Sequence, residues 1–129
     1  MKKADRLKEY RNLVVEIELL EDEKYRLRDG FISARNFDGM PHSKTCSDRV
    51  ADAAVKLIEL QQLIDENLDC LIDSRKEIEG FLEPLSPEER SLLRLRYIDG
   101  LNWQEISDKL NYTYQWVHVL HKRVLAELG

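Results

Sequence analysis

Apolar residues recur at helical spacing from the start of the chain. In the segment 3–29, which is rich in Glu, Lys, Arg and Leu, a seam runs through Leu13, Ile17, Leu20 and Leu27 to Phe31. The steps are four, three, seven and four residues, and Lys24 occupies the skipped slot. This is a heptad pattern with one polar interruption. Gly30 is placed to end the helix in a left-handed conformation. Residues 33–47 read as a loop, because Asn36, Asp38-Gly39, Pro41 and Ser43 are turn formers or helix breakers. Ser47 or Asp48 is placed to cap the next helix.

The second long segment, 48–82, carries the clearer heptad. Val50, Ala54, Leu57, Gln61, Ile64, Leu68, Leu71, Arg75, Ile78 and Leu82 alternate steps of four and three, with polar slots at Gln61 and Arg75. Polar seam residues fix register or partner number at a cost in stability. A further stripe of Ala53, Leu60, Leu63 and Asn67 makes the apolar face wider than a two-stranded seam needs, and Cys70 beside it reads as a small apolar filler. The expectation is an antiparallel hairpin about 40–50 Å long at 1.5 Å per residue. The width of the stripe implies that it associates with another copy, giving a homo-oligomer.

After Gly80 and Pro84 the rhythm changes to short helices with dense punctuation. Ser86-Pro87-Glu88-Glu89 is a helix start: Ser86 caps, Pro87 takes the first helical position, and Glu89 closes a capping box. That helix reaches about Ile98, and Gly100 turns the chain. Asn102 and Glu105 form a second capping box for a helix of two turns, Trp103 to Leu110. Asn111 suits the left-handed geometry of a tight turn, and Thr113 caps a last helix over 114–127. A short helix, a tight turn and a longer helix make the helix-turn-helix layout. At 100° per residue, Val117, Leu120, Val124 and Leu128 mark the buried side of the last helix. Gln115, Val119, Lys122 and Ala126 lie opposite, flanked by Trp116, His118 and Arg123. Gln115 is suited to an adenine edge and Val119 to a thymine methyl. Lys122, Arg123, His118, His121 and the helix start at Thr113-Tyr114 suit phosphates. The candidate DNA-binding residues are therefore Thr113, Tyr114, Gln115, Trp116, His118, Val119, Lys122 and Arg123. Trp103 reads as a packing residue.

Charge refines this picture. The chain of 129 residues has a net charge of −5, with 14 Lys/Arg against 19 Asp/Glu up to residue 85 and six of each after it. A neutral module still binds DNA when its bases share one face, but its non-specific affinity is weak. Paired half-sites read by an oligomer would offset that weakness. The N-terminus, Met1 to Arg6, leads into a charged amphipathic segment without an apolar signal core, and no long apolar run occurs, so a cytoplasmic protein without membrane contact is expected. Cys46 and Cys70 form no CxxC pair. His42 and Cys46 supply two ligands where a structural zinc needs four. The sequence has no Gly-rich phosphate loop, nucleophile elbow or metal-ligand set, so neither catalysis nor a cofactor is expected.

The run from Leu85 to Arg90, then Leu93-Arg94-Leu95-Arg96-Tyr97, then Gly100 to Ile106, continued by Tyr112-Thr113-Tyr114 to Leu120, resembles region 4 of sigma-70-family factors. Where that family commonly carries arginines on the outer face of its last helix, this chain has Tyr114, His118 and Val119. The whole chain resembles prophage-encoded late transcription regulators of the ArpU/RinA type, which combine a helical N-terminal part, a loop like Asp38-Gly39-Met40-Pro41 and a sigma-4-like C-terminal module. The fold class expected is all-α: a long coiled-coil-like antiparallel hairpin over 1–83 that oligomerises, then a tri-helical helix-turn-helix of sigma region 4 type over 84–129. The resemblance implies a regulator of late phage genes acting on double-stranded DNA. The alternatives are an adaptor that docks on RNA polymerase or another protein, and a small-terminase-like packaging protein.

Overall fold

The computed structural model describes residues 2–35 and 44–129, with the side chains at 31–35 and 44–47 outside the description. Asn36, Asp38, Gly39, Pro41, His42 and Ser43 therefore lie outside the described residues, as do the side chains of Phe31, Cys46 and Ser47. The fold is all-α. Two long helices, α1 (Lys3–Arg35) and α2 (Lys44–Leu82), precede α3 (Pro87–Leu93), a π-helical turn (Arg94–Ile98), α4 (Trp103–Leu110) and α5 (Tyr114–Leu128). No helix among the described residues is long and apolar enough to cross a membrane.

The long helices overrun their expected ends. Gly30 does not stop α1, which continues to Arg35. One glycine costs a helix about 1 kcal/mol relative to alanine, and each further residue adds a backbone hydrogen bond that offsets it. Ser47 and Asp48 lie inside α2, which begins at Lys44, rather than at its start.

The described residues gather into two compact units, one of Val15–Cys70 and one of Met1–Val14 with Leu71–Gly129. In the first unit, Ile17 and Ile64 are buried and Leu20, Leu27, Val50, Leu57 and Leu60 are half-buried. The two polar interruptions of the seams meet each other here: Lys24 Nζ donates to Gln61 Oε1 at 2.7 Å. Gln61 Nε2 in turn donates to Asp65 Oδ1 at 2.9 Å. A lysine opposite a glutamine is satisfied in only one register, which is the role polar seam positions play. The second inward row of α2 is the Ala53, Leu60 and Asn67 stripe rather than the row through Ala54 and Leu68: Asn67 turns inward while Leu68 is 37% exposed, and Ala54 is exposed beside half-buried Ala53. The expectation for Cys70 is also corrected, because it is exposed and fills no gap.

The second unit holds the main core. Leu92, Leu93, Ile106, Val117, Leu120, Val124 and Leu128 pack with Ile78 and Leu82 from the end of α2 and with Leu7 and Tyr10 from the start of α1. The α1 seam thus begins earlier than Leu13. Tyr10 was not recognised as a core residue because its hydroxyl makes it look polar. That hydroxyl lies near Arg75, the second polar slot of α2, which donates to Glu79 at 3.0 Å. Glu79 takes two hydrogen bonds from Arg94 in the π-turn, at 2.7 and 2.6 Å, and this holds its carboxylate below the usual range. Such forked arginine–carboxylate pairs fix geometry as well as adding energy. Nearer the N-terminus, Arg6 lies 3.6 Å from Glu77, and the Lys3 ammonium sits over the Phe81 ring.

Leu7→Ala removes a fully buried side chain at this junction and should cost about 3 kcal/mol, whereas Lys76→Ala, at an exposed position on α2, should stay within about 0.5 kcal/mol of the parent. Urea unfolding followed by circular dichroism compares the two. Equal effects would mean that the start of α1 does not share the core.

Candidate nucleic-acid interface

The three short helices are set by caps and turns. Ser86 is extended and accepts from the Glu89 amide, while its hydroxyl donates to the Glu89 carboxylate at 2.8 Å. Pro87 occupies the first helical position. The π-turn closes with Asp99 N donating to Arg94 O at 2.9 Å, which lets Leu95 and Tyr97 both turn inward while Arg94 and Arg96 reach the surface. Gly100, at φ +72°, then reverses the chain. Asn102 and Glu105 form the reciprocal capping box of α4. Asn111 adopts the left-handed conformation at φ 58° and ψ 38°. The turn from α4 to α5 is locked by Ser107, a buried polar residue whose hydroxyl donates to Tyr112 O at 2.6 Å, while Tyr112 N donates back to Ser107 O at 3.1 Å. Thr113 caps α5 by accepting from the Trp116 amide at 3.1 Å.

These restraints fix the orientation of α5. Val117, Leu120, Val124 and Leu128 are buried, so the opposite side faces outward. Gln115, Val119, Lys122 and Ala126 are all exposed there, with Val119 at 48%. Thr113 and Tyr114 are exposed at the helix start. On one flank, Trp116 is 39% exposed and the Arg123 guanidinium lies 5.5 Å from its ring centre. Arg123 also lies near Glu89 and Glu127, so part of its charge is met within the protein. On the other flank, half-buried His118 packs between Tyr114 and Trp103, with ring centres 4.6 and 4.7 Å away.

His121 behaves differently from the sequence expectation. It lies between Tyr97 and Trp103, with its Nε2 2.8 Å from the Tyr97 hydroxyl. Burial, followed by the charges of Arg96, His118 and Lys8, lowers its pKa to about 4. At neutral pH it is an uncharged packing residue and brings no cation to a phosphate. Trp103 is half-buried, as expected of a packing residue, and it also supports Arg96, whose guanidinium is 4.3 Å from its ring centre and donates to Leu101 O at 3.1 Å.

Residues 81–128 match the family model of sigma-70, region 4. Region 4 is a DNA-binding helix-turn-helix module, and the segment it covers here runs from the last turn of α2 through α5. No curated protein and no solved structure matched the chain. In the region 4 segment, sequence reasoning located the caps, the glycine turn and the outward face of α5. It missed Ser107, the bond of Tyr97 to His121, and the cations of α1 that line a cleft with Trp103. The Ser107 bond has no sequence signature, because a serine mid-helix is usually solvent-facing.

The low pKa of His121 has a consequence for stability. In the unfolded chain a histidine titrates near 6.5, so between about pH 6.5 and 4 the unfolded state binds the extra proton. His121 therefore contributes stability that is complete above pH 6.5 and declines as the pH falls toward 4, by an amount on the order of 3 kcal/mol. Urea midpoints taken across this range should fall in the parent and flatten in His121→Phe, and NMR should place the His121 titration near 4. A titration at an ordinary histidine value would refute the buried setting.

Proposed function

We propose that this protein is a sequence-specific DNA-binding transcription regulator of the phage or prophage late-gene kind. In this reading α5 enters the major groove. Gln115 and Val119 meet base edges, and Thr113, Tyr114, His118, Lys122 and Arg123 meet the backbone, with Trp116 at the rim. The observation that carries the reading is the exposed row Gln115–Val119–Lys122 on a helix whose opposite side is pinned by Val117, Leu120 and Val124, inside the region 4 segment. The functional division falls near residue 84, with DNA contact after it and oligomerisation before it. The cytoplasm is where such a regulator works.

Oligomerisation is the second part of the proposal. The unit Val15–Cys70 leaves Val15, Leu19, Val55, Ile58 and Leu63 exposed. A groove floored by Leu27, Leu60 and Leu63 and edged by Glu23, Arg26, Lys56 and Glu59 lies on the same unit. Apolar residues in such number, edged by both signs of charge, suit a second copy of the same helices. Two copies would read paired half-sites. Light scattering at high protein concentration should give at least a dimer, and Leu19→Glu with Ile58→Glu should dissociate it. A monomeric parent would remove this part.

A second reading has one observation in its favour. Val119, Tyr114 and Trp116 make the outer face of α5 partly apolar, which suits contact with RNA polymerase or another protein. Selection of bound duplexes from a random pool separates the two. The regulator reading expects an enriched motif, bound more weakly at higher salt, and a loss of about 1–3 kcal/mol with relaxed specificity for Gln115→Ala. An unenriched pool, together with capture of core polymerase in the absence of DNA, would favour the adaptor.

A further inference from the structure

A cleft of about 380 Å³ opens beside the helix-turn-helix, lined by Lys8, Arg11 and Asn12 of α1 and by Arg96, Trp103 and His121. No carboxylate lines it. Among the described residues, Lys8, Arg11 and Arg96 take part in no ion pair, while Arg6, Arg75 and Arg94 are each bound to a glutamate. Three unpaired cations around one cleft, in a chain of net charge −5, require an explanation.

Two of them are held by the same turn. Arg11 Nη1 donates to Ile98 O at 3.4 Å, and Arg96 Nη1 donates to Leu101 O at 3.1 Å. Each guanidinium uses one N–H on a carbonyl and keeps others for a ligand. Gly100 sits between these carbonyls, and a Cβ there would collide with the Arg11 guanidinium. The glycine therefore makes the close approach of Arg11 to the turn possible, besides reversing the chain. The Arg96 guanidinium lies over the Trp103 ring. Planar, pre-positioned guanidinium groups recognise phosphate oxygens. Burial is the main cause of the low pKa of His121, and the positive charges of Arg96, His118 and Lys8 add to it.

We propose that this cleft is a phosphate-binding cradle in which α1 supplies Lys8 and Arg11 to the helix-turn-helix. The ligand chemistry is a phosphate group, from a DNA backbone or from a free phosphate. The position of the cleft favours the backbone. The ring series Tyr114, His118, Trp103, His121 leads from the start of α5 directly to it, so a strand running past α5 would meet the cleft. The choice of DNA as source rests on the proposed function. The cradle itself does not.

The test uses the full chain, a mixed-sequence duplex of about 30 base pairs over a salt series, and inorganic phosphate. Each phosphate contact contributes roughly 0.9 to the slope of log affinity against log salt. Lys8→Gln and Arg11→Gln should each lower the slope by about that amount, while Lys76→Gln, exposed on α2, should leave it unchanged. Inorganic phosphate, followed by NMR of the parent, should shift the His121 ring signals and raise its pKa from about 4, and Arg11→Gln should abolish that response. Urea unfolding checks that the variants remain folded. A reduced slope upholds the cradle with DNA as its source. An unchanged slope with a phosphate response that Arg11→Gln abolishes upholds it with a free phosphate as its source. The absence of both responses overturns it. If the parent binds no duplex, the proposed function fails and the phosphate arm alone decides the cradle.

Discussion

The structure depends on a core that no local segment can build alone. The helix-turn-helix helices contribute Leu92, Leu93, Ile106, Val117, Leu120, Val124 and Leu128, and a core of this size supplies little stability by itself. Ile78 and Leu82 from the end of α2, with Leu7 and Tyr10 from the start of α1, complete it. The first and last parts of the chain are thereby joined in one unit. The outward orientation of α5 follows from this, because a recognition face stays fixed only while the opposite side of its helix is held.

The polar groups repeat the same dependence. Glu79 on α2 grips Arg94 in the π-turn through two hydrogen bonds, and Arg75 connects Glu79 to Tyr10 on α1. These side chains are part-exposed, so each pair adds little energy on its own. Their value is positional, since together they set where the π-turn lies against the long helices. The π-turn then determines where Arg96 emerges, and Arg96 rests on Trp103 at the first position of α4. A chain of short-range restraints thus runs from the α1 and α2 seams to the start of the helix-turn-helix.

Much of the C-terminal fold was legible in the sequence because it is encoded locally. Ser86, Asn102, Asn111 and Thr113 are cap or turn residues whose chemistry acts within three or four positions, and all four do what their residue types imply. The four inward positions of α5 were legible because a helix imposes one period. The long helices were legible in type but not in detail. The inward row of α2 runs through Ala53, Leu60 and Asn67 rather than Ala54 and Leu68, and a helix that is long enough absorbs Gly30. What could not be read were contacts between residues distant in sequence: Tyr10 with Arg75, Lys24 with Gln61, Tyr97 with His121, Arg11 with the Ile98 carbonyl. Periodicity assigns a residue to a face without identifying the residue opposite. For the candidate site this meant that the face of α5 was visible and the cations of α1 were not.

That difference bears on the electrostatics of the module. Counted along the sequence, residues 86–129 carry equal numbers of acidic and basic groups, and the outer face of α5 offers few cations. Counted in space, the balance shifts. Arg94 is paired with Glu79, Arg90 lines a cleft with Glu79 and Glu83, and Arg123 lies near Glu89 and Glu127. Arg96 has no such partner and is joined by Lys8 and Arg11, which belong to a distant stretch of sequence but to the same compact unit. A net charge summed over a sequence segment therefore misstates the potential of the surface that segment forms. The start of α1 contributes both Leu7 to the core and Arg11 to the cleft, so the packing that stabilises the helix-turn-helix also sets the charge beside it.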